Sequence, residues 1–375
     1  AKEDLEFLSN PELVFLLHEE EAFFAYRATV AYEHPEMKIP YTSRVFVSPQ
    51  SGDLIVEFPL VYTIENRTVY TANQKTQLPG TLVRTEGSLP VNDQSVNQAY
   101  ANSGICYEFY FKAFGRDSYD NKGATLISTV HYDKNYNNAF WNGIQMVYGD
   151  GDGINFSDFA GDLSVVCHEL THAVISSTAN LRCMLSYSLA LSRSRALAHS
   201  DSRFSFGLVK DSGESGALNE GIADIMGASA VIYDKGGLHA NSWEIGSECY
   251  LAGDALRYMN NPVKDGVSRD YYPNRYIGIL DNGGVHWNSG IANLWFVLLV
   301  QGGVHPQQRT TNYVDPAGII PALDITYSAL VNYMTTTTTF AQARAATATA
   351  TKVLFPGNSA VLNSVTGAWT AVGVN

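Results

Sequence analysis

Two histidines and a glutamate stand together in residues 165–174, which read VVCHELTHAV. His168 and His172 are four residues apart, so a helix would place both side chains on one face, one turn apart. Neutral imidazoles at this spacing can hold one Zn²⁺, and Glu169 could reach a water bound to that metal. The surrounding apolar residues predict that the helix is buried. The alternative is a core helix whose histidines only form hydrogen bonds.

A second pair of candidate residues lies downstream in residues 219–224, which read NEGIAD. Glu220 and Asp224 would share one face of an apolar helix, where two carboxylates repel each other unless a cation neutralises them. A zinc ion would do so, with Glu220 as third ligand and Asp224 accepting the free ring N–H of a zinc-bound histidine. The alternative is a solvated helix face.

A third candidate stretch is residues 281–290, which read DNGGVHWNSG. Asp281 could orient His286 through one ring nitrogen, and the other nitrogen could donate to a developing oxyanion. Taken alone, this pair is more typical of a structural hydrogen bond.

Four stretches together resemble the thermolysin family of zinc metallopeptidases: residues 137–143 (NNAFWNG), 168–172 (HELTH), 215–220 (SGALNE) and 281–286 (DNGGVH). The resemblance runs from about residue 77 to residue 375. It implies an α+β, thermolysin-like fold with a β-rich N-terminal half, an all-α C-terminal half and the active-site cleft between them. It also implies four segments: the C-terminal part of an inhibitory and chaperone propeptide (1–65), the β-rich catalytic half ending in the HELTH helix (66–180), an inserted loop (181–208) and the α-helical catalytic half (209–375).

The resemblance also implies the role of each site residue. Zinc would be held by His168, His172 and Glu220, with Asp224 supporting a zinc histidine. Glu169 would act as general base towards a zinc-activated water, and His286, oriented by Asp281, would stabilise the oxyanion. Substrate would contact backbone-binding residues (Asn138, Ala139 and Arg257) and an apolar pocket for the residue after the scissile bond (Phe156, Phe159, Val165, Ile245, Cys249 and Leu256). The implied enzyme is a zinc endopeptidase that prefers a hydrophobic residue after the scissile bond, in a pocket narrowed by Phe159.

The chain departs from the family pattern at residues 181–208, where the connection between the second histidine and Glu220 is unusually long. The stretch interrupts the position of a family tyrosine that assists the oxyanion, and removing it would leave Asp211 there. It is either a genuine loop or a gene-model artefact. One alternative function is therefore a catalytically impaired relative that serves as a binding protein. Another is a zinc hydrolase acting on non-peptide bonds, which Asn138 and Arg257 disfavour.

Calcium is the second departure. The family's paired calcium site usually has carboxylates where this chain has Ser164, Val231, Ser242 and Ser247, and only Glu244 is retained. Because calcium requires several oxygen ligands, preferably anionic, we expect the paired site to be lost. Zinc is then the one metal that the sequence predicts.

Composition restricts the partners. The formal net charge of −13 disfavours nucleic acid and anionic membranes as partners. The sequence contains no run of about twenty apolar residues, so no membrane span is predicted. Cys106, Cys167, Cys183 and Cys249 form no CxxC pair and no evident disulfide framework. With the resemblance, we expect a secreted, extracellular monomer that acts on protein or peptide substrates and has its own propeptide as a partner.

Hydrophobic periodicity gives a coarse order of sheet first, then helices. An acidic amphipathic helix is predicted over 1–24, a hairpin over 44–58, twisted antiparallel sheet over 66–137 and a helix over 99–114. Further helices are predicted over 217–233, 249–259, 287–300, 324–334, 340–354 and 359–369.

Overall fold

The structure is a computed structural model that describes residues 6–7, 10–18, 21–33, 40–59, 65–181 and 213–375. The chain divides into two compact units, Ala1–Glu65 and Asn66–Asn375. Apart from residue 181, the predicted insertion lies outside the described residues, as do Cys183 and Asp211. No helix in the described ranges is long and apolar enough to cross a membrane.

The first unit is an antiparallel sheet. Its strands are β1 (Glu6–Phe7), β2 (Glu12–His18), β3 (Glu21–Glu33), β4 (Pro40–Val47) and β5 (Leu54–Pro59). The predicted hairpin is confirmed, because β4 and β5 pair across a turn closed by the Gly52 N–H and the Ser48 carbonyl. The predicted helix over 1–24 is wrong. A short apolar run does not distinguish helix from strand, and here β2 pairs with β3 over its whole length, which decides the structure.

The second unit begins with a mixed sheet ordered β7-β6-β8-β10-β9. Its strands are β6 (Arg67–Lys75), β7 (Thr81–Thr85), β8 (Leu126–Tyr132), β9 (Ala139–Trp141) and β10 (Met146–Tyr148), and α1 (Gln94–Phe114) packs against it. The prediction of a purely antiparallel sheet is wrong, because β8 runs parallel to both β6 and β10. Parallel neighbours require a crossover connection. For β6 and β8 this connection contains α1, which follows β7 and leads into β8.

The rest of this unit is helical. Its helices are α2 (Leu163–Ser177), α3 (Gly213–Asp234), α4 (Asp281–Gln301), α5 (Ile319–Asn332), α6 (Phe340–Leu354) and α7 (Ser359–Ala371). Helix α3 packs against both α2 and α4 and is buried along most of its length. It is therefore the central helix of the half that carries the candidate site.

One predicted helix of this half, over 249–259, is wrong. The segment is a loop that ends in a two-stranded ribbon of β11 (Glu244–Ile245) and β12 (Arg257–Tyr258). The Met259 N–H bonds to the Trp243 carbonyl and the Leu256 N–H to the Ile245 carbonyl. These bonds pair backbone N–H and C=O groups across the ribbon. In a helix, the same groups would have been paired within the segment.

His131, at the end of β8, links two other parts of the second unit. Its Nδ1 lies 2.7 Å from Asp150 Oδ1, and its Nε2 lies 3.1 Å from Asp93 Oδ2. Asp93 is also the N-cap of α1, because its carboxylate accepts the Val96 N–H. The hydrogen bond to Asp150, followed by the bond to Asp93, outweighs burial and raises the pKa of His131 from 6.5 to about 9.

We expect this histidine to make stability pH-dependent. Its folded pKa lies above the unfolded value, so its stabilisation is complete below about pH 6.5 and is lost as pH rises through about 9. After allowance for partial exposure, we expect about 1–2 kcal/mol. Urea unfolding of the parent chain and of His131→Gln at pH 6 and pH 10 would measure it. The difference between the two chains should shrink at pH 10, and a constant difference would contradict the assignment.

Candidate active site

Helix α2 brings the two candidate histidines together. Asp162 caps its N-terminus by accepting the N–H groups of Ser164 and Val165. One turn further along, His168 and His172 approach each other on one face, with their Nε2 atoms 3.0 Å apart. His168 is 6% exposed, which confirms the prediction of a buried helix.

Helix α3 presents its carboxylates to these histidines. Glu220 Oε2 lies 3.3 Å from His168 Nε2, and Glu220 Oε1 lies 3.8 Å from His172 Nε2. Asp224 Oδ1 lies 2.9 Å from His168 Nδ1. Glu220 is 7% exposed and Asp224 is fully buried. The alternative of a solvated helix face is therefore wrong.

The donor set fits a zinc ion. One ligand atom each from His168, His172 and Glu220 lies within 4.8 Å of the others. Tetrahedral zinc with bonds of 2.0–2.1 Å would place its ligands about 3.3 Å apart, close to the three separations above. Glu220 Oε2 is buried and has no hydrogen-bond partner among the described residues. A buried carboxylate oxygen in that position is suited to a metal.

The electrostatics favour positive charge at this point. Burial alone would lower the pKa of His168, but the Asp224 and Glu220 carboxylates raise it to about 10. Burial would raise the pKa of Glu220, but the nearby His286, His172 and His168 hold it well below its usual range. The site therefore stabilises a cation among these side chains.

Asp224 has three further bonds. Arg257 binds it through Nε at 2.8 Å and Nη2 at 2.6 Å, and Asn293 donates to it at 2.9 Å. Burial would raise the pKa of Asp224, but Arg257 and then His168 lower it below its usual range. The predicted neighbour of a zinc histidine is thus also the partner of a predicted substrate-binding arginine, which the sequence did not indicate.

His286 stands at the start of α4, opposite Glu220. Its Nε2 lies 3.5 Å from Glu220 Oε2, and its Nδ1 lies 2.6 Å from Asp281 Oδ1. Asp281 also accepts the backbone N–H of His286. The turn between them has left-handed conformations at Asn282, Gly283 and Gly284, which explains the two glycines. The His286 side chain is 50% exposed, so Nε2 can meet a ligand.

These residues line a cleft of about 390 Å³. Seven of the predicted substrate-binding residues line it: Asn138, Ala139, Phe159, Val165, Ile245, Leu256 and Arg257. The other two lie behind this lining. Phe156 stacks on Phe159 with ring centroids 5.2 Å apart, and the Cys249 side chain is completely buried.

Sequence reasoning missed several residues of the site. Asn219 places Oδ1 2.9 Å from His172 Nδ1 and donates from Nδ2 to the Leu181 carbonyl, so it fixes the orientation of the second histidine. Asn219 directly precedes Glu220, but no pattern in the sequence indicates that it contacts His172. Phe140 and Trp141 were also missed, although strand β9, which contains them, lines the cleft. A disulfide between Cys106 and Cys167 lies behind His168.

Comparison with known proteins gives the family. A sequence model of the thermolysin metallopeptidase catalytic domain matches residues 57–176, and one of the α-helical domain matches residues 209–374. The chain belongs to the thermolysin family of metallopeptidases. This confirms the predicted resemblance, the thermolysin-like α+β fold and the prediction of a thermolysin-like metallopeptidase.

Individual relatives agree with this membership. A bacillolysin of Brevibacillus brevis is 35% identical over an alignment of 405 residues, gaps included. This alignment covers 98% of this chain and 68% of the relative. A thermolysin of Alicyclobacillus acidocaldarius is 42% identical over 311 residues, or 81% of this chain and 50% of the relative. The chain thus spans 68% of the length of the first relative and 50% of the second. Among solved structures, the precursor of protealysin, a metalloproteinase from Serratia proteamaculans, matches with a TM-score of 0.66 and 32% identity, covering 83% of this chain and 88% of that one.

Asn219 gives a test of the metal site. We expect Asn219→Ala to weaken zinc binding about 10- to 100-fold, because the ring of His172 would lose the partner that orients it. Competition with a chelator of known affinity measures this. Ser229→Ala on the same helix is the control, because the hydrogen bond that its hydroxyl makes among the described residues goes to the Ile225 carbonyl one turn back. Equal zinc affinity in both variants would show that Asn219 does not position the ligand.

Proposed function

We propose that this chain is a secreted zinc endopeptidase. The observation that carries the proposal is the convergence of His168, His172 and Glu220 in a cleft also lined by Glu169 and His286. A structural zinc site normally has four protein ligands and no open position, whereas the described residues here supply three. Nor would a structural site require an acidic side chain and a half-exposed histidine that line the same cleft as the ligands, as Glu169 and His286 do here.

The zinc ligands would be His168, His172 and Glu220. Bound zinc would polarise the scissile carbonyl and allow a water to be deprotonated near neutral pH. Glu169 would take the proton of the attacking water and return it to the leaving amine. His286 would donate from Nε2 to the carbonyl oxygen as it gains charge, while Asp281 holds the ring through Nδ1.

The cleft offers places for a peptide backbone. Strand β9 is at the end of the strand order in its sheet, so one of its edges is not paired within the described sheet. An extended substrate could add to this edge at Ala139, with the exposed side chain of Asn138 beside it. Arg257 uses Nε and Nη2 for Asp224, which leaves Nη1 for a substrate carbonyl. These features favour peptides over non-peptide substrates.

The residue after the scissile bond would enter an apolar pocket walled by Phe159, Val165, Ile245 and Leu256. Phe159 is supported from behind by Phe156, which in turn contacts Tyr250. A ring held by stacking cannot easily swing aside. We therefore propose a preference for medium-sized hydrophobic residues, with the size limit set by Phe159.

Two features support secretion as a precursor. The Cys106–Cys167 disulfide is typical of proteins that fold in oxidising compartments. Residues 1–65 form a compact unit of their own, and we propose that this unit is the end of the propeptide. The solved relative from Serratia is likewise described as a precursor.

Calcium would have little role at the family's paired site. Ser164 donates to Asp162 and accepts the Gly246 N–H, while Asp162 also accepts the Glu248 N–H. Direct hydrogen bonds thus tie residues 246–248 to the start of α2. Carboxylates line a nearby cavity of about 910 Å³, but the described residues contain no second metal-binding group as compact as the zinc set.

The decisive experiment measures casein hydrolysis and zinc content together, before and after limited proteolysis of the purified chain. We expect one zinc per chain, loss of activity with a chelator and recovery when zinc is restored. Glu169→Gln should retain zinc while losing at least about a hundredfold in turnover, because the proton carrier is removed. Zinc-loaded protein without activity in either form would favour the alternative of a binding protein, and protein without zinc would refute the site.

The pocket can be tested with peptides that vary only in the residue after the scissile bond. We expect Phe159→Leu to raise kcat/KM for Phe at that position by about tenfold relative to Val. The reason is that a smaller wall admits the larger ring, and steric differences of this kind are worth about 1–3 kcal/mol. Phe111→Leu, on α1 and outside the cleft lining, is the control. An unchanged Phe-to-Val ratio in Phe159→Leu would remove Phe159 from the pocket.

Calcium dependence separates this chain from relatives with an intact paired site. We expect millimolar calcium to shift the Tm of the zinc-loaded Glu169→Gln protein by less than about 2 °C. A calcium site saturated at about 100 times Kd would contribute about 2.7 kcal/mol and shift Tm by about 3–4 °C in a protein of this size. Calorimetry with calcium, and with magnesium as control, distinguishes the outcomes. A shift of that size with calcium alone would mean that the paired site is retained.

A further inference from the structure

Two links join α1 to α2. The first is the disulfide between Cys106 and Cys167. The second is a hydrogen bond of 2.8 Å between the hydroxyls of Tyr110 and Thr171. All four side chains are buried, with exposures of 2% or less. The two residues on α1 are four apart, and so are the two on α2, so the links are parallel rungs one helical turn apart.

The number of hydroxyl protons determines which of Tyr110 and Thr171 is the donor in the second link. The Thr171 hydroxyl lies 2.6 Å from the Cys167 carbonyl and donates to it. Its single proton is therefore used within α2, and the Tyr110 hydroxyl donates to the Thr171 oxygen. Because Cys167 also carries the disulfide, the two rungs are connected through this carbonyl.

Each rung residue on α2 directly precedes a zinc-site histidine. Cys167 precedes His168, and Thr171 precedes His172. Successive residues of a helix are separated by about 100° of rotation and about 1.5 Å of rise. Fixing the rung residues against α1 therefore fixes both the rotation and the axial position at which the two histidines meet α3.

The site requires such a restraint because its ligands come from two helices. Glu220 is on α3, and residues 178–212 connect α2 to α3. Spacing along the chain therefore does not determine how α2 is rotated against α3, and contacts between elements must do so. Helix α1, by contrast, packs on strands β6 and β8 of the sheet, so it is a fixed support for α2.

We propose that the Cys106–Cys167 disulfide and the Tyr110–Thr171 hydrogen bond position the zinc ligands. The inference depends on the proposed zinc site and adds a specific consequence. The rungs slow the release of zinc beyond any effect they have on the stability of the fold. Cys106, Cys167, Tyr110 and Thr171 are positioning residues, because none of them contacts the metal or the substrate.

The test measures zinc release from zinc-loaded protein to an excess of a chromophoric chelator, far below the unfolding temperature. All chains carry Glu169→Gln so that they cannot digest themselves. We expect Cys106→Ala/Cys167→Ala to release zinc at least about 10 times faster than the parent, as for other residues that orient metal ligands. We expect Tyr110→Phe, which removes one hydroxyl, to release it several times faster.

Two controls separate positioning from stability. Leu330→Ala, a buried residue of α5, should lower Tm without changing zinc release. Tyr327→Phe is the matched control for Tyr110→Phe, because it also removes one tyrosine hydroxyl. That hydroxyl accepts a hydrogen bond from Arg116 and lies away from the zinc site. If both rung variants release zinc at the rates of their controls, the positioning role is refuted and the disulfide only stabilises the fold.

The remaining outcomes are also decisive. A parent protein that binds no zinc would refute the proposed function itself, whatever the variants do. If the double cysteine variant fails to fold, Tyr110→Phe against Tyr327→Phe decides the question alone. Equal release from those two would overturn the proposal.

Discussion

The site depends on two carboxylates that α3 buries, Glu220 and Asp224. A carboxylate removed from water costs several kcal/mol unless it is paired and hydrogen-bonded. Each neighbouring element meets this requirement with a different group: His168 from α2, Arg257 from β12 and His286 from α4. The position of α3 against its neighbours is therefore determined by these ion pairs as well as by the packing of apolar side chains. Removing any one partner would leave a buried charge that the others cannot fully neutralise.

These pairs are possible because α3 approaches its neighbours very closely. A Cβ atom on Gly227 would lie 2.5 Å from the Ser164 carbonyl oxygen in α2, and one on Gly221 would lie 2.7 Å from Ala292 Cβ in α4. Real side chains do not tolerate such distances, so any larger residue would push a helix outward. The carboxylates would then withdraw from the histidines by a similar amount. Gly221 and Gly227 thus determine whether the charged groups of α3 can meet their partners.

Much of this could be predicted from the sequence, and the failures have physical causes. The i,i+4 spacing of His168 and His172 determines their common face within one helix, and the same holds for Glu220 and Asp224. Local spacing carries no information about which helices become neighbours, so the bonds of Asn219 to His172 and of Arg257 to Asp224 could not be derived. The disulfide was missed for the same reason, because Cys106 and Cys167 are 61 residues apart and belong to no spacing motif.

The errors in secondary structure concern segments whose partners lie far away in the chain. Residues 12–18 are apolar enough for either a helix or a strand, and pairing with β3 decides between them. In the loop before β12, backbone bonds to β11 and Trp243 replace the bonds of a helix. By contrast, the long helices of the C-terminal half were predicted well, because a helix satisfies its own backbone and its pattern is local.

Different sides of α2 carry the groups proposed to restrain the helix and the group proposed to act as general base. Cys167 faces α1, and His168 faces the carboxylates of α3. Glu169, a further 100° around the helix, lines the cleft and has no hydrogen bond or ion pair among the described residues. A general base must exchange its proton freely, so a fixed partner would tie up the lone pair that it needs. In the proposed site, three consecutive residues would therefore have three different roles: Cys167 would anchor the helix, His168 would bind the metal and Glu169 would remain free to act as the base. This is possible because each residue points in a different direction.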